Sequence, residues 1–179
     1  MKSANLDMSD WAETDVAIYE FVVAREQEVI ARARMIVDQY WAKFERSNKT
    51  VMDNKKIGQD PKRKVGIVAP VIEAVQTTGR TSGRLIWCTF GMKGYQQKNR
   101  NAWKRIPFSK TTGYENTYNP NALLKHSVGW DASTILGTEA QLQPLRLAVK
   151  NYQRIIISIA ARYRRVNRLT EKRVNTYGK

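Results

Sequence analysis

Apolar residues in the first quarter of the chain recur at steps of three and four between Val22 and Phe44. This spacing places them on one face of a helix and leaves charged residues on the other. Asp10 is suited to an N-cap, with Glu13 in the capping-box position three residues later. The pattern predicts a helix over residues 10–46 that ends near the polar "RSNKT" stretch.

A second helical pattern lies near the C-terminus, where apolar residues alternate by three and four from Leu142 to Val166. This spacing is typical of a heptad seam and predicts a helix over residues 138–173. Two starts fit this helix: a capping box at Thr138 or a first helical turn at Pro144. The seam can pack on the first helix or on a second copy of the chain, which would make a homodimer.

Between these helices the chain changes to β-type patterns. Residues 65–76 and 84–90 are rich in β-branched and aromatic side chains, and the glycine-containing stretch 77–83 separates them. They predict a β-hairpin with a long, flexible tip that carries Arg80. Pro70 indicates an edge position or a bulge in the first strand, and 102–108 is a candidate third strand.

These elements predict an α+β fold: two long helices packed with a small antiparallel sheet and a long basic loop. Residues 47–64 are polar and turn-rich and are interpreted as a loop. Between the hairpin region and the C-terminal helix, an irregular connection contains one short helix that starts at Pro120. The predicted organisation is a single domain, 1–179, with an N-terminal helix (10–46), a hairpin and basic region (65–108), a loop-rich connection (109–137) and a C-terminal basic helix (138–173).

Charge gives the first indication of function, because the net charge is +15 over 179 residues. Residues 1–46 carry 6 basic and 9 acidic side chains, a net of −3, whereas residues 47–179 carry 25 and 7, a net of +18. A chain this basic is expected to bind a polyanion through its later three quarters.

The strongest basic constellation lies between Glu73 and Glu115, where no acidic residue occurs. Cations without compensating anions attract phosphates, and a cation at a hairpin tip could enter a groove of a duplex. Tyr95 and Trp103 are candidates for stacking on bases, with core packing as the more common alternative. The predicted nucleic-acid-binding cations of this window are Arg80, Arg84, Lys93, Lys98, Arg100, Lys104, Arg105 and Lys110; Arg80 and Arg84 are the candidates for sequence reading.

A second basic set lies at the end of the C-terminal helix. Favourable interaction with the helix dipole accounts for one or two of its cations but not for all of them. Heptad spacing favours helix packing over a membrane-surface helix, so no membrane contact is expected. The predicted nucleic-acid-binding residues of this set are Arg162, Arg164, Arg165, Arg168 and Lys172.

Residues for catalysis or metal binding are scarce. Cys88 is the single cysteine and His126 the single histidine, which excludes zinc fingers and histidine clusters. There is no phosphate-binding glycine loop, and the acidic residues after position 47 are scattered. We expect no catalytic residue, no metal and no cofactor. The single cysteine, with no signal peptide or membrane-spanning run, predicts a cytoplasmic protein.

Over roughly residues 30–157 the chain resembles the MobI-type mobilisation proteins of conjugative elements. The resemblance rests on "ARARMIVDQYWAKF", "GRLIWCTF", "WKRIPFSKTTGYENTY", a "GW" pair and "EAQLQPLRLAVKNYQRI". It implies an accessory protein that binds the origin of transfer and helps to recruit or position a relaxase. One histidine cannot build the metal-holding histidine cluster of a common relaxase.

The sequence thus predicts a non-enzymatic, sequence-specific double-stranded DNA-binding accessory protein of conjugative transfer. An RNA-binding or structural nucleoprotein component, for example of a phage particle, is the main alternative. A small metal-dependent nuclease with dispersed carboxylates is a weaker one, and an interaction protein without a nucleic-acid partner is the last.

Overall fold

The computed structural model describes residues 13–90, 103–108 and 117–177. In chain order the elements are α1 (Glu13–Lys56), β1 (Val68–Thr77), β2 (Arg80–Phe90), β3 (Trp103–Arg105), α2 (Pro120–Leu124) and α3 (Ala132–Tyr177). The predicted α+β class is confirmed: two long helices accompany a three-stranded antiparallel sheet of order β1-β2-β3. None of the helices within these ranges is long and apolar enough to cross a membrane.

Helix α1 is longer at its C-terminal end than the sequence indicated. The prediction that it ends near residues 46–50 is wrong, because the helix continues to Lys56. Asn48, which looked like part of a polar break, is buried and forms two hydrogen bonds with Gly66. The helix ends before Gly58, whose φ of 74° is the left-handed conformation that glycine adopts most easily. The proposed N-cap Asp10 lies outside the described residues.

Helix α3 begins before both predicted starts, and the prediction of a loop through residue 137 is wrong from Ala132 onward. Asp131 directly precedes the helix and accepts hydrogen bonds from the Ser127 hydroxyl and the Val128 N–H. These bonds order the loop that enters the helix; they differ from N-cap bonds, which come from the N–H groups of the first helical turn. Pro144 lies inside the helix on an exposed position, not at its first turn.

The hairpin is confirmed, but its predicted long tip is wrong. β1 and β2 pair continuously from Val68–Thr89 to Thr77–Arg80, so only Thr78 and Gly79 form the turn. Both turn residues have positive φ, 50° and 81°, as the tight hairpin turns that match strand twist require. The third strand is confirmed by the pairing of β3 with β2. Pro70 lies in the edge strand β1, as expected for a residue that lacks an N–H donor.

The two long helices pack antiparallel against each other and against one side of the sheet. Tyr40 and Phe44 of α1 pack with Trp87 of β2 in the main core cluster, which also includes Ile135 at the start of α3. At the other end, Asp15 of α1 accepts a hydrogen bond from the Tyr163 hydroxyl of α3.

From Leu142 to Tyr163, the heptad seam of α3 packs on the first helix of the same chain, whereas the last seam position, Val166, is exposed. Leu142 and Val149 join Ile30 and Val37 of α1 in one cluster, and Ile156 joins Val22 in another. Of the two alternatives for this seam, the structure therefore favours packing on α1.

A buried ion pair joins α3 to the sheet. Arg146 donates to both carboxylate oxygens of Glu139 at 2.8 Å and to the Leu85 carbonyl at 3.0 Å. The Trp87 indole N–H donates to Glu139 at 2.7 Å. Both charged side chains are more than 90% buried, so each depends on the other for compensation.

Candidate nucleic-acid interface

The predicted interface residues fall into several groups. Lys93, Lys98, Arg100, Lys110 and Tyr95 lie outside the described residues. The backbones of Trp103 and Lys172 lie in β3 and α3, but their side chains are not described. The remaining eight predicted cations are Arg80, Arg84, Lys104, Arg105, Arg162, Arg164, Arg165 and Arg168, whose positions follow.

Arg80 does not project from a flexible tip. It is the first residue of β2, its side chain is only 16% exposed, and its guanidinium pairs with the fully buried carboxylate of Glu26 on α1. Burial lowers the pKa of the Arg80 guanidinium below its ordinary value. The prediction that Arg80 stands free to enter a groove is therefore corrected: its side chain joins β2 to α1.

The Glu26 carboxylate is also linked to α3, through the Ser82 hydroxyl of β2. Ser82 donates to Glu26 at 2.5 Å, and the Gln153 amide of α3 donates to the Ser82 hydroxyl at 2.7 Å. Two long helices and the hairpin end are thus held by one polar network. Its partners are far apart in sequence, so the charge pattern alone could not reveal it.

The other sheet cations are exposed. Arg84 lies on the central strand β2, and Lys104 and Arg105 on the edge strand β3. Arg105 pairs with Glu73 of β1 across the sheet. Arg84 lines a cleft of about 380 Å³ between the sheet and α3, together with Phe108, Lys150 and Gln153. The fold thus brings one predicted sheet cation next to the basic helix.

The cations on α3 are exposed as predicted: Arg162, Arg164, Arg165 and Arg168 all face solvent. No acidic residue occurs between Glu139 and Glu171. The antiparallel packing, however, lays this end of α3 beside the acidic first half of α1, where Asp15 contacts Tyr163. The positive field of this helix end is therefore partly compensated, an effect that depends on the tertiary fold.

One exposed basic region received no role in the sequence analysis. It comprises the end of α1 and the loop to β1, residues 43–64, with eight basic and three acidic side chains, a net of +5. All eight cations are exposed. The local charge count identifies it, whereas the polar, turn-rich pattern of residues 47–64 indicates only a loop.

The buried carboxylates of Glu139 and Asp131 have structural partners. Glu139 is engaged by Arg146 and Trp87, and Asp131 accepts bonds at the start of α3. Burial raises the pKa of the Cys88 thiol to about 11, which leaves it neutral at physiological pH. Within the described ranges, no three His, Cys, Asp or Glu side chains are grouped so that they could hold a metal ion.

A protein-family model described as "MobI protein" matches residues 29–160, which is 132 of the 179 residues. The match runs from α1 through the sheet into the first two thirds of α3 and includes the Glu139–Arg146 pair and the Glu26-facing strand β2. The arginines from Arg162 onward lie beyond it. No curated protein and no solved structure matches the chain.

Proposed function

This chain belongs to the MobI family, a membership that indicates a role in conjugative mobilisation, and we propose that it acts there as a sequence-specific, duplex-DNA-binding accessory protein. It would bind the origin of transfer in the cytoplasm and help to position a relaxase, without cutting the DNA itself. A dimer on an inverted repeat is compatible with this role, although α1 already packs on the heptad seam from Leu142 to Tyr163.

The observation that carries the proposal is the row of exposed arginines on an acid-free stretch of α3. Arginine forms two parallel hydrogen bonds with a phosphate, so such a row is suited to a nucleic-acid backbone. These contacts would fix position on the duplex and contribute little to sequence choice. Base reading would then come from the sheet side, where Arg84 is exposed beside the cleft to α3.

Competition between polyanions tests the proposal. A labelled duplex is bound to the protein and displaced by unlabelled duplex, single-stranded DNA or structured RNA of equal length. We expect the duplex to compete most effectively. Stronger competition by structured RNA would favour an RNA-binding or structural nucleoprotein role, and binding that is insensitive to salt would contradict a phosphate interface altogether.

The arginines of α3 have a separate test. Replacing Arg164 and Arg165 with Ala should weaken binding to all duplex sequences alike, because phosphate contacts carry no direct sequence information. The slope of log affinity against log salt should fall by about 1.8, at about 0.9 for each lost phosphate contact. An unchanged slope would place the interface elsewhere on the protein.

A further inference from the structure

The charge of α1 changes sign along its length. Residues 13–42 carry three basic and six acidic side chains, a net of −3, whereas residues 43–64 carry a net of +5. The positive part lies at the end of α1 and in the loop that leads to β1. This end is opposite to the one where Asp15 of α1 contacts Tyr163, which lies among the arginines of α3, because the two helices are antiparallel.

The side chains of this positive part are available to a ligand. Only Lys56 forms an ion pair with a described residue, the exposed contact with Asp53 at 3.3 Å. Arg63 lies over the Trp130 ring, with its guanidinium carbon 6.0 Å from the ring centre, and remains exposed. We name the exposed cations the α1-end surface: Lys43, Arg46, Lys49, Lys55, Lys56, Lys62, Arg63 and Lys64.

The backbone that carries the α1-end surface is fixed on both sides. Lys43, Arg46 and Lys49 stand on a continuous helix. The Trp130 indole N–H donates to the Lys64 carbonyl at 3.0 Å, and Gly66 is held by Asn48. Cations on an ordered frame lose less conformational freedom on binding than cations on a mobile tail.

The chemistry of the surface fits a phosphate backbone. An amphipathic membrane helix needs a free apolar face, but at this end of α1 Phe44 and Val51 are each 2% exposed and packed in the protein. Three acidic side chains among eight cations leave a net positive field that favours a dense polyanion. Duplex DNA carries one charge for each ~1.7 Å of its axis, which several cations on a fixed frame can contact together.

We propose that the α1-end surface is a second phosphate-binding surface for duplex DNA, separate from the arginines of α3. The inference rests on the proposed function in that both require the protein to bind a duplex. Ile135 of α3 packs with Phe44 at the α1-end surface, and Tyr163 of α3 lies among the arginines. The helical rise between these two residues is about 42 Å. That distance corresponds to about 12 base pairs, so the two surfaces are separated along α3 by slightly more than one helical turn of a duplex.

Two matched double variants test this surface. Arg46→Ala with Lys49→Ala removes two exposed charges from the α1-end surface, and Arg32→Ala with Arg34→Ala removes two exposed charges from the middle of α1. Both change net charge equally, and alanine is the most favourable helix residue. Dissociation constants are measured on a random-sequence duplex of about 30 base pairs, longer than the proposed span, from about 50 to about 200 mM salt.

We expect the Arg46/Lys49 variant to reduce the salt slope by about 1.8 and the Arg32/Arg34 variant to leave it unchanged. Between about 50 and about 200 mM salt, the wild-type protein should lose roughly 12 times more affinity than the Arg46/Lys49 variant. The Arg32/Arg34 variant should lose as much affinity as the wild type. Equal effects of the two variants would show that net charge, not this surface, governs binding, and would overturn the inference, as would no effect of either.

The outcome is distinguishable from failure of the proposed function. If the wild-type chain binds origin and random duplexes equally, site-specific recognition fails, yet a selective effect of Arg46 and Lys49 on the salt slope still supports the second surface. If Arg164→Ala with Arg165→Ala lowers the slope and the Arg46/Lys49 variant does not, only the second surface is refuted. Absence of any duplex binding refutes both.

Discussion

Replacing Arg146 with Met should destabilise the protein strongly, although Met keeps the apolar part of the side chain. The substitution removes the counter-charge of the Glu139 carboxylate, which is more than 90% buried and keeps the hydrogen bond from the Trp87 indole N–H. It also removes the donor to the Leu85 carbonyl. Breaking a buried pair by removing one partner costs about 3–5 kcal/mol, because an uncompensated charge stays in the interior.

The magnitude follows from what each change leaves behind. Arg146→Met removes two charge-assisted hydrogen bonds of 2.8 Å and one bond to a backbone carbonyl. Glu139→Gln leaves a buried guanidinium without its counter-charge and should cost a similar amount. The double variant, Glu139→Gln with Arg146→Met, buries no net charge, so its cost should be smaller than the sum of the two single costs.

Urea denaturation followed by circular dichroism gives the free energy of unfolding for each variant. Arg25→Met is the matched control, because Arg25 pairs with Glu28 on the exposed side of α1 and its side chain is 49% exposed. We expect the control to unfold at the same urea midpoint as the wild type. Single variants of Arg146 and Glu139 that also unfold at that midpoint would refute the reasoning from burial.

Two smaller predictions concern packing and burial. Gly66→Ala should destabilise the protein by about 1–3 kcal/mol, because the added Cβ would lie 2.7 Å from the Phe44 ring. Gly137→Ala should stabilise it by about 0.5–1 kcal/mol, because this helical position has open space around it. Equal urea midpoints for the two variants would contradict both predictions. Cys88 should react slowly with iodoacetamide at about pH 8 and quickly after unfolding, because burial raises its thiol pKa to about 11; rapid reaction of the native protein would contradict this.

The helices and the hairpin were predictable because their signals are local. The heptad spacing around Leu142 and Val149 and the alternation around Trp87 depend only on which side chains must be buried. The ends of the helices were less predictable, since they depend on distant partners. Asn48 continues α1 because its amide meets Gly66, which no local polar pattern indicates.

The candidate interface shows the same division. Exposure of the α3 arginines follows from helical periodicity once the seam is known. The buried position of Arg80 does not, because its partner Glu26 is distant in sequence. Likewise, the cleft that brings Arg84 near Lys150 requires the packing of α3 on the sheet. Charge counts therefore identify which segments are basic, and the fold decides which cations remain free for a ligand.

The most direct test of the central claim is binding to the origin of transfer of the element that encodes this chain. Fluorescence anisotropy at about physiological salt would compare a duplex carrying that region with a scrambled duplex of the same length and composition. We predict tighter binding to the origin duplex by roughly 10³-fold or more, the lower end for specific DNA-binding proteins. Equal affinity for the two duplexes would contradict sequence-specific recognition.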